Sequence, residues 1–435
     1  MAHQPLTFIR TLCLLTALIL PCLAPGRGAS EDSIPPGTTV TTQNWRQYKQ
    51  FMPDGMQALF AGTYFWKMPA DLRMEVEPTG HYPLPPTYVQ NTAKYSHLVS
   101  IKDLPTGGHT IEGYVAGIPF PNPADPLKGY KILVNFWYRY LPYLHCNGDD
   151  HEYLVNGASQ VVTIRYEDVF RRLSHISDPG QPIDDPHAQG IDHTNFSMTL
   201  EPEQERYTAV LVVYYADPTE PKGQYIFVPQ LRRVLRGSSN SRCAPVGGSD
   251  FATDDFSAFS GGIARFQADF LRDQKILALV KSEPLLYGKP DNYYFPLYFP
   301  KPQIGKWQLR DNDVIDVRRI PSSRAGYCYG KQIIYVDKES HTASWKDGYD
   351  PDFKLFKVEM SEQIAQPVPQ EGIQFDGNEL ETIWDLGKHH LSAFITASPD
   401  GKSVVANEAC RDVDGVNYDD IERFCTPSGL SQVMR

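Results

Sequence analysis

The sequence has 435 residues, with 41 Lys and Arg against 52 Asp and Glu, which gives a net charge of −11 at pH 7. Nucleic acid is bound by basic surfaces, so this acidic balance argues against a nucleic-acid-binding protein. Aromatic residues make up 12% of the chain, and 36 Pro and 32 Gly punctuate it, a mixture that favours strands and turns over long helices.

The first residues have the three parts of an export signal. Arg10 is followed by the apolar run LCLLTALIL and then by the small-residue segment APGRGAS. We predict a signal peptide at residues 1–28, cleaved after Gly28, and a single exported domain at residues 29–435. The proline before Cys22 disfavours lipidation at that cysteine. No stretch of the mature chain reaches the roughly twenty apolar residues that a transmembrane helix needs.

The predicted elements change from helical to strand-like along the chain. Residues 38–62 have the best helical pattern, which Pro53 should interrupt. Residues 207–215 are apolar on both alternating faces, as in a strand that is covered on both sides. A strand followed by a turn is predicted four more times, at residues 223–234, 331–339, 353–360 and 389–401.

These patterns predict a mainly β protein with a few helices (α+β), built on a large curved antiparallel sheet. Helical segments between the strands are too few for a parallel, doubly wound arrangement. Within residues 353–360, Phe356 and Val358 alternate with Lys357 and Glu359, so the two charged side chains are predicted to face solvent.

Five cysteines follow residue 28, at Cys146, Cys243, Cys328, Cys410 and Cys425. In an oxidising compartment they can form at most two disulfides and leave one thiol. Cys410 and Cys425 enclose a short C-terminal loop, so we predict that they pair. The pairing of the other three stays open.

One segment resembles the strained turn that presents a catalytic nucleophile. GYCYG, at residues 326–330, has Cys328 between two glycines. Such a turn lies between a strand and a helix, whereas the residues that follow here alternate like a strand. We therefore predict a structural role for Cys328, within a strand.

A second segment, HCNGDDHEY, gathers several possible metal ligands. His145, Cys146, Asp149, Asp150 and His151 lie within seven residues. A distant ligand pair of recognised spacing does not accompany them, so we predict a solvated turn rather than a metal site.

The middle of the chain is rich in arginine and aspartate. Arg232 and Arg233 are neighbours on a predicted strand and should point to opposite faces. Either one could bind an anionic group of a ligand or form a structural ion pair. We interpret residues 247–259 as a loop and a short helix that begins near Asp254 or Asp255, and that forms a lid or rim rather than an active site.

Five phrases, in the same order, resemble exported bacterial proteins of unknown function that are labelled outer-membrane lipoprotein-sorting proteins. The fold of that family is similar to the lipoprotein carriers LolA and LolB. Phe356 stands where the family usually has tryptophan, and the cysteines lie outside the shared pattern. The phrases are NWRQYKQFMPDGMQALFAG (44–62), GYVAGIPFPNPADPLKGYKILVNFWYRY (113–140), YIFVPQLRRVLR (225–236), GGSDFATDDFSAFSG (247–261) and IIYVDKESHTASWKDGYDPDFKLFK (333–357).

The resemblance implies an incomplete β-barrel around an apolar cavity, and a periplasmic, non-enzymatic carrier for a hydrophobic ligand such as a lipid or a lipoprotein acyl chain. Each buried methylene would contribute about 0.8 kcal/mol, so no cofactor is needed for affinity. An inner-membrane exporter of the resistance-nodulation-division type is the implied partner. The candidate ligand-binding residues are Phe136, Tyr138, Leu211, Val213, Phe227 and Trp307, with Arg233 as a polar anchor.

Two other functions remain open from the sequence. The first is a metal-dependent or cysteine hydrolase that uses HCNGDDHEY or Cys328. The second is a structural subunit of the cell envelope that has a filled core and no ligand.

Overall fold

The computed structural model describes Met1 and residues 33–434, apart from 239–241, 284, 285, 287, 369–371 and 396–404. Between 365 and 379 only the backbone is described. Residues 2–28 of the predicted signal peptide lie outside the described residues. Across the described part of the chain, no helix has the length and apolar character needed to cross a membrane.

Short elements come first in the described chain. The helical region is interrupted at Pro53, as predicted: a 3-10 helix spans Trp45–Phe51 and an α-helix begins at Asp54. The elements before the main sheet are β1 (Thr39–Val40), α1 (Asp54–Ala61), β2 (Met74–Glu75), α2 (Pro86–Tyr95), β3 (Ser100–Asp103), β4 (His109–Glu112) and α3 (Lys128–Trp137).

The remaining elements are mostly strands, and all of these except β12 and β13 belong to one sheet. In chain order they are β5 (Leu144–Asn156), β6 (Val161–Arg172), β7 (Ile191–Glu201), β8 (Ala209–Tyr215), β9 (Gly223–Val228), β10 (Arg233–Arg236), β11 (Phe266–Ala278), β12 (Tyr293–Tyr294), β13 (Phe299–Pro300), β14 (Gln308–Arg319), β15 (Lys331–Asp337), β16 (Ala343–Tyr349), β17 (Leu355–Val368), β18 (Gly372–Asp385), β19 (His390–Ile395) and β20 (Val405–Ala406). Two short helices, α4 (Ile421–Phe424) and α5 (Pro427–Leu430), end the described chain.

The described residues form a 14-stranded antiparallel sheet, which confirms the predicted fold class. Its order is β10-β9-β8-β7-β6-β5-β19-β18-β17-β16-β15-β14-β11, and β20 pairs with β5 beside this path. The sheet is curved and open, because β10 and β11 end the order without pairing to each other. The pairs β1–β2, β3–β4 and β12–β13 form three small sheets.

The two faces of the main sheet differ in chemistry. One face, which we call the apolar face, carries the cross-strand neighbours Trp345, Met360, Thr382, Ala393 and Tyr153. Residues 34–76 pack on it over β14–β19, and the C-terminal residues 405–433 pack on it over β5–β9. Burial of each large apolar side chain contributes about 1.5–3 kcal/mol, so both halves of this face are stabilised by packing.

The opposite face, the charged face, carries Lys346 opposite Glu359 and Glu381 opposite Phe394. Lys357 and Glu359 are both buried there, so the prediction that they face solvent was wrong. The alternating pattern correctly predicted that Lys357 and Glu359 lie on the other face of the sheet from Val358. Residues 242–263 lie over that face, however, and exclude water from it.

The disulfides differ from the predicted pairing. Cys146 bonds Cys410 and Cys243 bonds Cys328, whereas Cys425 is a buried thiol. The predicted Cys410–Cys425 bond was therefore wrong. The reason is a strand pairing: β20 lies against β5 with Val405 opposite Cys146, which brings the following Cys410 to that cysteine.

Candidate functional site

Residues 242–263, which we call the plug segment, cover the charged face. Phe251, Asp254 and Asp255 are fully buried in it. The predicted short helix is a single 3-10 turn that begins after Asp255. The carboxylate of Asp255 does not cap that turn; it accepts the Ala252 N–H at 2.7 Å instead.

Asp255 holds the plug segment to the sheet by charge. Its carboxylate lies 3.1 Å from the Lys346 ammonium and 3.5 Å from that of Lys357, and it accepts the Tyr329 hydroxyl at 2.7 Å. Burial alone would raise the pKa of Asp255, but the two ammonium groups outweigh it and hold the pKa at about 2. The acid is therefore ionised at every physiological pH.

Other acids on the charged face keep a proton. Burial raises the pKa of Glu152 to about 8, although the Tyr166 hydroxyl donates to that carboxyl at 2.8 Å. Burial and then the nearby Glu359 raise the pKa of Glu381 to about 8. This face is therefore a packed polar layer, with paired ions and neutral acids.

A cavity of about 560 Å³ lies beside the end of α3, between the β3–β4 hairpin and the β8–β9 connection. Its volume is within the range of small-molecule sites. The lining residues are Lys102, Leu104, Pro105, Thr110, Ile111, Glu112, Gly113, Tyr114, Tyr138, His175, Ala216, Asp217, Pro218 and Thr219.

Aromatic rings form one wall of this cavity. The rings of Tyr114 and Tyr138 are 4.1 Å apart, and the His175 ring lies 4.7 Å from Tyr114. His175 is held by its Nδ1, which is 2.8 Å from the Val115 carbonyl oxygen. Burial raises the pKa of both tyrosines well above the ordinary value, so their hydroxyl groups stay protonated at physiological pH.

Thr110 adds a polar atom to the cavity. Its hydroxyl group is buried and has no hydrogen-bond partner among the described residues. Buried polar groups are nearly always hydrogen-bonded, so this unpaired hydroxyl is a local cost to stability beside the cavity. Lys102, Glu112 and Asp217 place charge on the same lining.

The predicted ligand-binding residues do not converge on one place. Tyr138 lines the cavity, and Phe136 is buried in the same apolar cluster. Leu211, Val213 and Phe227 pack on the apolar face against the C-terminal residues.

The remaining two predicted residues lie elsewhere. Trp307 is in the core beneath residues 34–76, stacked 5.4 Å from Phe299. Arg233 is exposed at the start of β10, and the backbone of Arg232 is left-handed and outside the strand. The expectation that these two arginines are adjacent on one strand was therefore wrong.

Sequence reasoning missed Thr110, Tyr114, His175 and Asp217 as cavity residues. Tyr114 lies in the phrase GYVAGIPF that carries the family resemblance, but nothing in the phrase indicates a cavity. The hairpin and the β8–β9 connection are about a hundred residues apart in the sequence, and no periodic pattern joins them.

The two segments that resembled a nucleophile turn and a metal site both have structural roles. Cys328 is bonded to Cys243, in the bend before β15 rather than within the strand, and has no free thiol. HCNGDDHEY is part of β5, so the predicted turn was wrong; a β-bulge between Asn147 and Asp150 accommodates its polar residues. Among the described residues, no group of three or more His, Cys, Asp or Glu is placed to hold a metal ion.

Comparison with known proteins places the chain in a family. The profile described as "Protein of unknown function (DUF1329)" matches residues 39–421. The chain belongs to this family. A search of curated proteins finds no match.

Solved structures similar to this DUF1329 chain have low identity. A structure from Vibrio parahaemolyticus described as an outer membrane lipoprotein-sorting protein domain is 16% identical, with a TM-score of 0.44, over 62% of this chain and 91% of its own. A DUF1329 family protein from Desulfovibrio piger is 14% identical, with a TM-score of 0.44, over 62% and 91%. A LolA-superfamily protein from Nitrosomonas europaea is 13% identical, with a TM-score of 0.36, over 59% and 85%.

Proposed function

We propose that this protein is an exported, non-enzymatic carrier that binds a hydrophobic ligand, a lipid or an acyl chain, in the cavity beside α3. The cavity carries the proposal, because it is about 560 Å³ in volume and has an aromatic wall. Each methylene buried against that wall would contribute about 0.8 kcal/mol. The polar lining then binds the polar end of an amphipathic ligand.

The family resemblance supplies the class of ligand and the compartment. Exported lipoprotein-sorting proteins work in the periplasm, and two disulfides among the described cysteines are typical of an oxidising compartment. The predicted signal peptide at residues 1–28 would deliver the chain there.

The proposal is tested by the uptake of an apolar fluorescent probe. Ala216→Trp should fill the cavity and weaken uptake at least tenfold, because Ala216 lines it and the indole ring would occupy its volume. Ala158→Trp, at an exposed position in the β5–β6 turn, is the matched control and should bind as the wild type does. Equal uptake by both variants would place the ligand elsewhere.

The two alternatives predict other results. A structural envelope subunit would take up no probe in any form. A cysteine hydrolase would need a reduced Cys328 or Cys146, and both are in disulfides. A metal-dependent hydrolase would retain a stoichiometric metal that is lost on changing His145 and His151.

The exporter partner stays a prediction of the resemblance. If an exporter of the resistance-nodulation-division type receives the ligand, cross-linking in intact cells should join it to this protein. Cross-linking that never recovers such an exporter would remove it from the proposal.

A further inference from the structure

A second, smaller cleft lies across the β8–β9 connection from the cavity. Its volume is about 30 Å³, and Pro218 lines both the cleft and the cavity. Trp137 and Tyr214 form aromatic walls, with ring centroids 5.9 Å apart. Glu220, Lys222, Arg242 and Arg265 place charged groups on its lining.

Positive charge exceeds negative charge at this cleft. Arg242 and Lys222 share one buried carboxylate, that of Asp254, at 2.8 Å and 3.3 Å. Arg319 lies 3.6 Å from the same carboxylate, and its Nε and Nη2 have no hydrogen-bond partner among the described residues. A single carboxylate therefore serves three cations.

Arg265 is a fourth cation near this cleft, and it has no carboxylate partner of its own among the described residues. Its guanidinium forms no ion pair or hydrogen bond within the described part of the chain, although it lines the cleft. Partial burial, and then the like charges of Arg242 and Arg319, lower the pKa of Arg265. Asp254 and Glu220 oppose this lowering, but neither of these carboxylates forms an ion pair with Arg265.

The volume of the cleft limits what can enter it. A water molecule needs roughly 10–15 Å³ of such space, so about 30 Å³ accommodates the oxygen atoms of a charged group but not a whole organic ligand. Guanidinium groups bind carboxylate and phosphate oxygens with two parallel hydrogen bonds. Glu220 opposes such a ligand, but it is exposed at the rim.

We propose that this cleft binds an oxyanion, the phosphate or carboxylate of a larger ligand or a free ion, through Arg265 with support from Arg242 and Lys222. Pro218 lines both spaces, so they are adjacent, and the proposal extends to one molecule that places its charged group in the cleft and its apolar part in the cavity. That last step rests on the proposed carrier function; the anion site itself does not.

Calorimetric titration at constant ionic strength tests the site with two probes. They are inorganic phosphate and dihexanoyl phosphatidylglycerol below its micelle concentration, with zwitterionic dihexanoyl phosphatidylcholine as the matched lipid. Arg265→Gln should weaken phosphate or phosphatidylglycerol binding about tenfold or more. Glu220→Gln should strengthen it, because a repelling charge is removed. Arg272→Gln, at an exposed position of β11, is the control and should change nothing.

The binding results distinguish a lipid headgroup from a free oxyanion, and both from the absence of an anion site. Tighter binding of phosphatidylglycerol than of phosphate, lost in Arg265→Gln, supports a lipid headgroup; binding of phosphate alone, lost in the same variant, supports a free oxyanion. No binding of either probe, or equal weakening by Arg272→Gln, overturns the site.

Two controls complete the test. Arg265→Gln should melt no lower than the wild type, because the arginine has no partner to lose, so weaker binding cannot be ascribed to unfolding. Apolar-probe uptake should be unchanged in Arg265→Gln. If the wild type binds phosphate but takes up no apolar probe, the carrier proposal fails and the anion site stands.

Discussion

Single buried carboxyl groups make stability depend on pH. Glu362 is buried, accepts the Tyr293 hydroxyl at 3.2 Å, and has its pKa raised to about 8 by burial. In the unfolded chain its pKa is near 4.5. The folded protein therefore holds a proton that the unfolded chain has released, and stability falls as the pH rises from about 4.5 to about 8.

Glu362→Gln should reduce this pH dependence, because the amide keeps a hydrogen-bonding group without a titrating proton. One such group contributes a slope of up to about 1.4 kcal/mol per pH unit. Denaturant unfolding at pH 5, 6.5 and 8 measures it, and the exposed Glu203→Gln is the matched control. An equal slope in wild type and Glu362→Gln would show that Glu362 is ionised in the folded state.

The buried Thr110 hydroxyl is a second single group that affects the stability of the protein. Thr110→Val keeps the shape of the side chain and removes a buried hydroxyl that has no partner in the described residues. We expect a gain of about 1 kcal/mol in the free energy of unfolding. Thermal and denaturant unfolding would check this, and a loss of stability would mean that the Thr110 hydroxyl already has a hydrogen-bond partner in the folded protein.

At the scale of elements, the plug segment is held by ions rather than by apolar packing alone. Asp255→Asn removes the charge that Lys346 and Lys357 share and leaves two buried ammonium groups with less compensation. We expect a loss of about 3–5 kcal/mol. Asp352→Asn, on an exposed turn, should cost little in the same denaturant unfolding measurement.

If Asp255→Asn is as stable as Asp352→Asn, the plug segment does not depend on this ion cluster. The segment would then be held by its apolar residues, Phe251 and Phe259 among them, and by the Cys243–Cys328 disulfide.

Each of the two disulfides joins two separate parts of the fold. Peptide mapping without reduction should recover Cys146 linked to Cys410 and Cys243 linked to Cys328, with Cys425 as a thiol. A peptide that links Cys410 to Cys425 would contradict the pairing of β20 with β5.

Sequence patterns predicted where the strands lie better than they predicted which strand residues are buried. Alternation identified β8, β9, β15, β17 and β19, because a strand's side chains alternate whatever covers them. The burial of Lys357 could not be predicted, since it depends on contact with Asp250 of the plug segment, 107 residues earlier in the sequence. HCNGDDHEY was interpreted as a turn because its residues are polar. In the structure a β-bulge accommodates these residues within β5.

For the whole molecule, the mainly β class and the large antiparallel sheet followed from the sequence, and the family resemblance agreed with the DUF1329 match. The cavity did not follow. Of the seven predicted ligand-binding residues only Tyr138 lines it, because apolar strand residues are usually core and both halves of the apolar face are already covered.

Native mass spectrometry of the mature protein, purified from its own cell envelope and followed by solvent extraction, tests the carrier proposal most directly. We predict a lipid or acyl species at close to one per chain in the wild type and in Ala158→Trp, and its loss in Ala216→Trp. Wild-type protein that carries no such species, and that takes up no apolar probe, would contradict the proposal and favour a structural subunit.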